Sequence, residues 1–141
     1  MSRNHEKLEG FHDAHALTLR IYQSSQHFPT DEWFGLRAQM RRAAVSIGAN
    51  IVEGSAKPTT RDYVKFLHIA LGSASELGYL VRVAAELSLW DVDAQRSLPE
   101  GCERVVKKLE KLTQSMAWRA DAETERPLRD GSPKPRAGSR R

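Results

Sequence analysis

The sequence predicts an all-α protein, an antiparallel up-down-up-down four-helix bundle, on three observations. Four segments repeat apolar residues at steps of three and four, the spacing of one helix face. No stretch alternates apolar and polar residues as a half-buried strand does. Gly and Pro cluster at the joints, and the joints are short, which sets consecutive helices side by side.

The first helix is expected from Phe11 to Gln26, with Phe11, Ala14, Leu17, Ile21 and Tyr22 as its buried stripe. Phe28-Pro29 ends it, because the residue before a proline disfavours helix. The second is expected from Asp31 to Glu53. Thr30 is placed to cap it, Asp31 and Glu32 sit at the positive end of the helix dipole, and Gly54 terminates it. Leu36, Met40, Ala43, Ile47 and Ile51 form its apolar face. Gly48 lies inside, at a cost of about 1 kcal/mol relative to Ala, which points to close packing or a bend.

The third helix is expected from Thr60 to Leu89, capped by Thr59 or Thr60. Its seam runs through Tyr63, Phe66, Leu67, Ala70, Ala74, Leu77, Val81 and Ala84. Small residues from Ala70 to Ser75 narrow its middle, and Leu71, Leu80 and Leu87 offer a second apolar strip. The fourth is clearest from Pro99 to Trp118. There Ser97 is placed to cap, Pro99 occupies the first turn, and Cys102, Val105, Leu109, Leu112 and Met116 repeat behind it. Asp91 to Arg96 can add a turn before Pro99.

A chain of 141 residues is one domain by size. Residues 1–125 make up the bundle and residues 126–141 a disordered basic tail. That tail holds six cations against Asp130 alone, so the net charge of +4 leaves the remainder at −1. The basic character therefore belongs to the tail, which suits a polyanion or simply a solvated end. No apolar run reaches the roughly 20 residues that span a bilayer, and the charged N-terminus is not a secretory signal. A cytoplasmic location without membrane contact is the expectation, and the lone Cys102 agrees with a reducing compartment.

A line of polar residues accompanies the second helix: Arg42, Ser46, Asn50 and Glu53. Folding the chain about residue 57 places Arg41 and Arg42 opposite Ser73 and Gly72, within a turn of Glu76, and Glu53 opposite Arg61. This predicts a structural polar network of Arg41, Arg42, Ser46, Asn50, Glu53, Ser73 and Glu76, with an Arg–Glu76 pair inside the bundle. On that reading Glu76→Gln lowers the melting temperature clearly. The rival reading makes Arg37, Arg41 and Arg42 a phosphate-binding patch. Candidate nucleic-acid contacts are then Arg37, Arg41, Arg136, Arg140 and Arg141.

No catalytic residue, cofactor site or metal site is expected. The five histidines lack the Glu-x-x-His pairing of a bundle metal site, and no phosphate loop or nucleophile elbow occurs. Trp33, Phe34 and Trp90 near helix ends suit either caps on the core or a subunit contact. The partners expected are further copies of this chain, then RNA or DNA, or a second protein.

The stretches FPTDEWFGLRAQMRRAAVSIGANIVEG and RDYVKFLHIALGSASELGYL resemble the four-helix-bundle proteins encoded in intervening sequences of 23S ribosomal RNA, relatives of accessory proteins of diversity-generating retroelements. The likeness covers roughly Phe11 to Met116, with Gly48 standing where that family usually carries Pro. The resemblance implies an antiparallel four-helix bundle, assembly in rings of five and no enzymatic activity. For the retroelement relatives it implies an adapter that binds nucleic acid and a reverse transcriptase.

Overall fold

The structure, a computed structural model, describes residues 3–125. Four helices carry it: α1 (Glu9–Ser24), α2 (Ala38–Ser55), α3 (Thr60–Glu86) and α4 (Val92–Glu125). Each packs against two others, in the cyclic order α1, α2, α3, α4. Residue pairs fix the directions. Thr18 meets Ala44 and Phe11 meets Gly48, so α1 and α2 run oppositely. Ser46 meets Ser73 and Gly54 meets Phe66 across α2 and α3. Gly78 meets Cys102 and Thr60 meets Glu123 across α3 and α4. Asp13 meets Lys108 and Arg20 meets Ser97, which closes α4 back on α1. The bundle is up-down-up-down and antiparallel throughout.

The apolar repeats supply its centre. Ile21, Met40, Ile47, Ile51, Leu67, Leu77, Leu98 and Leu109 are fully buried. Tyr22 does not join them. It is exposed, and its ring lies under the Arg41 guanidinium at 4.6 Å. Leu80 is in the core rather than on an outer strip, Leu71 packs partly against it, and Leu87 is exposed.

The joints differ from expectation for local reasons. α2 starts at Ala38, seven residues after Asp31. The Thr30 side chain makes no cap, and Thr30–Glu32 forms a 3-10 turn. A kinked stretch, Trp33–Arg37, follows it, with Gly35 at φ −97°, ψ −106°, outside helical geometry. Gly48 sits in an unbroken helix, where an added Cβ would meet Phe11 at an ordinary 3.7 Å. Gly54 is not a left-handed terminator; it lies inside α2, buried against α3.

α3 is capped by Thr59, whose hydroxyl accepts from the Asp62 N–H. It ends at Glu86 because Ser88 takes φ 57°. The Ser88 N–H then bonds the Ala85 carbonyl and the Leu89 N–H the Ala84 carbonyl, the pairing that closes a helix through a left-handed residue. α4 starts at Val92, capped by Asp91, whose carboxylate accepts from the Ala94 N–H at 2.8 Å. Ser97 and Pro99 therefore fall inside α4 rather than at its start. Ser97 donates back to the Asp93 carbonyl, as a mid-helix serine does.

The sequence offers no hint of Arg3, which ties the N-terminus to the α2–α3 turn. Its guanidinium donates to the Lys57 carbonyl and Thr60 Oγ1 and lies over the Tyr63 ring at 4.8 Å.

Candidate functional site

Two clusters carry the polar residues of α2, and they lie on different sides of it. Adjacent residues on a helix point about 100° apart, and Arg41 and Arg42 take different courses here. Arg41 turns toward α1. Its Nε donates to Ser25 Oγ at 3.0 Å and an Nη to the Tyr22 carbonyl at 3.0 Å. Both acceptors lie at the C-terminal end of α1, where carbonyls lack helical partners and a cation is favoured. Arg42 is exposed and makes no ion pair among the described residues.

On the α3 side, Asn50 Nδ2 donates to the Ser46 carbonyl at 2.7 Å and to Ser46 Oγ at 3.0 Å. With its oxygen accepting from Asn50, Ser46 has its own proton free for Ser73 Oγ, 2.8 Å away. The structure thus brings Ser46, Asn50 and Ser73 together, half-buried, and leaves Arg41, Arg42, Glu53 and Glu76 outside that trio. Glu76 is exposed and accepts from Gln39 Nε2 at 3.3 Å. Glu53 is exposed and makes no ion pair with Arg61.

The expected Arg–Glu76 pair is absent because Arg41 is held on α1, Arg42 stands in solvent and Glu76 takes Gln39 instead. The register is also displaced: Ser73 meets Ser46, five residues beyond Arg41. Helical side chains lean toward their own N-terminus. In an antiparallel pair both lean the same way in number, so contacting residues lie further along the chain than a fold about the turn implies. Glu76→Gln is accordingly expected to change stability by less than about 0.5 kcal/mol, the usual range for an exposed side chain. A denaturant titration checks this.

The second cluster stands where α1 ends and α2 begins. Arg37 lies over the Trp33 ring at 4.4 Å, one turn before Arg41 on Tyr22. Trp33 is anchored by its Nε1, which donates to the Phe28 carbonyl at 2.8 Å. Partial desolvation, and then repulsion by Arg41, holds Arg37 below the usual arginine range. Neither guanidinium has a carboxylate partner among the described residues. Next to Trp33, Phe34 is 93% exposed. The spacing of Trp33 and Arg37 signals a stacked i, i+4 pair in the sequence; the Tyr22–Arg41 contact joins two helices and has no such signal. Arg136, Arg140 and Arg141 lie outside the described residues.

Elsewhere the chemistry is sparse. Burial pushes the Cys102 thiol up to about 12, which keeps it protonated and unsuited to attack. A groove of about 500 Å³ between α3 and α4 is lined by His68, Leu71, Lys107, Glu110, Lys111 and Gln114. His68 makes no hydrogen bond or ion pair among the described residues. No helix among them is long and apolar enough to cross a membrane.

Residues 6–111 match the family described as 23S rRNA-intervening sequence protein. The chain is also similar to a crystal structure of a protein with unknown function from the S23 ribosomal protein family of Bacteroides thetaiotaomicron. The two share 22% identity over 74% of this chain and 95% of that one, with a TM-score of 0.67. At that identity the likeness bears on the fold. No functionally curated protein matches.

Proposed function

The chain belongs to the 23S rRNA-intervening sequence protein family, and on that premise we propose that it is a non-catalytic scaffold that assembles with copies of itself in rings of five. The observation that supports self-assembly is the outer face of α2 and α3, one side of a head-to-tail contact, and the number five is what the family resemblance implies. Val45, Ala49 and Val52 on α2 and Ile69, Gly72 and Tyr79 on α3 all face outward. Ile69 is 51% and Tyr79 65% exposed. A largely apolar face spread over two adjacent helices, with Arg42 and Glu53 beside it and Glu76 as the one charge between Gly72 and Tyr79, suits a subunit contact. Light scattering on the full chain is expected to give about five times 15.9 kDa. Ile69→Glu, which sets a charge in the middle of the face, is expected to give single chains. A wild-type chain that stays single at high concentration contradicts the proposal, and the scaffold then works through a different protein.

A second reading is favoured by the uncompensated Arg37 and Arg41: the scaffold holds nucleic acid, with the basic tail adding affinity. A steep loss of RNA affinity with rising salt supports it, and no binding at low salt removes it.

A further inference from the structure

We propose that the α1–α2 end of the bundle is a site for an unpaired stretch of RNA, in which Arg37 and Arg41 take phosphates and the Phe34 ring stacks on a base. The proposal rests on the nucleic-acid reading above and specifies its ligand.

The geometry separates three roles. Arg37 makes no hydrogen bond among the described residues, so all five of its N–H groups are available. Arg41 spends two on α1 and keeps three. Each guanidinium is braced on an aromatic ring, Trp33 or Tyr22, which holds its plane and leaves its outer face for a second stacked group. Two arginines one turn apart repel each other when nothing lies between them. An anion placed there relieves that repulsion, so the pair selects negative charge. Asp31 and Glu32, on the preceding turn, pair with neither.

Phe34 supplies what a simple anion would not use. A phenyl ring 93% in water stands at the kink before α2, beside Gly35, whose backbone leaves helical geometry. Base–aromatic stacking needs a base whose face is open, and a duplex hides its base faces. Guanidinium pairs flanked by an open aromatic ring are the equipment of single-strand binding. A carboxylate-rich peptide would satisfy the arginines but gains nothing from stacking.

The test uses the full chain and a labelled unstructured oligo-uridine of about 12 nucleotides, with the matching oligo-uridine–oligo-adenosine duplex and polyglutamate as competitors. The single strand is expected to bind about tenfold more tightly than the duplex. Phe34→Ala should lower single-strand affinity about tenfold and Phe34→Trp should keep it. Arg37→Gln should weaken the single strand about fivefold and reduce the salt slope by about 0.7. Because Phe34 is exposed, its variants keep the wild-type melt. Replacing Arg136, Arg140 and Arg141 with Gln weakens all binding but preserves the strand preference.

Equal affinity for both forms with Phe34→Ala unchanged overturns this site and leaves the nucleic-acid reading standing. Polyglutamate competing as well as RNA, or strand preference vanishing with the tail arginines, also overturns it. No binding of either form at low salt removes both.

Discussion

Gly54→Ala is expected to lower stability by about 3 kcal/mol and the melting temperature by about 10 °C. An added Cβ at Gly54 would lie 2.6 Å from Phe66 Cβ and 3.1 Å from Tyr63 Cδ2. A Cβ is fixed to its backbone, so relief requires α2 and α3 to separate rather than one side chain to rotate. The turn there is also held by Arg3 bonded to Lys57 and Thr60, which resists such movement. Gly72 is the internal comparison. It sits mid-helix on the opposite wall with nothing within 4 Å of its missing Cβ. In the Ile69→Glu background, where the self-contact face is open, Gly72→Ala is expected to raise stability by about 0.5–1 kcal/mol, the helix-propensity gain alone. Two glycines on facing helices thus give opposite signs in one denaturant titration. A loss at Gly54 smaller than about 1 kcal/mol would mean the helices are not in close contact there.

Trp90→Ala is expected to cost about 4 kcal/mol. Trp90 is buried at the end of the bundle opposite Gly54, with its ring centroid 4.8 Å from that of Phe28. Its Nε1 donates to the Val81 carbonyl at 3.1 Å. The residue therefore joins the α3–α4 connection to the segment leaving α1, and Ala would open a cavity across that junction. Trp90→Phe keeps the apolar contact with Phe28 and loses the hydrogen bond, at about 1 kcal/mol. Equilibrium unfolding of the three proteins checks the order.

Periodicity made the centre of this fold legible. Ala14, Leu17 and Ile21, or Leu67, Ala70, Ala74 and Leu77, are buried where steps of three and four place them. The helix starts were less legible because local signals compete. Ser97-Leu98-Pro99-Glu100 has the form of a helix start, but Asp91 caps α4 first and the helix runs through the proline. Thr30-Asp31-Glu32 also resembles a start, and Gly35 spoils it by leaving helical geometry.

The candidate site was legible in composition and not in contact. Arg37, Arg41 and Arg42 stand out as a cationic run, and Ser46, Asn50 and Ser73 as polar groups beside a seam. Which helix each would meet depends on how α2 is turned between α1 and α3, and no spacing within one helix reports that. Arg41 went to α1 and Ser46 to α3, where folding the chain about its turn had sent Arg41 to α3. The value of Phe34 depends on its being left in water, a property of the whole bundle.

The register of α2 against α3 decides which of their outward residues stand side by side, and so underlies the self-contact face. Paired cysteines read it directly. Ser46→Cys with Ser73→Cys should close to a disulfide under mild oxidation, because the hydroxyl oxygens they replace are 2.8 Å apart. Arg42→Cys with Gly72→Cys should stay reduced within the chain, because nothing lies within 4 Å of the Gly72 Cβ position. Closure at 42/72 with none at 46/73 would contradict the account.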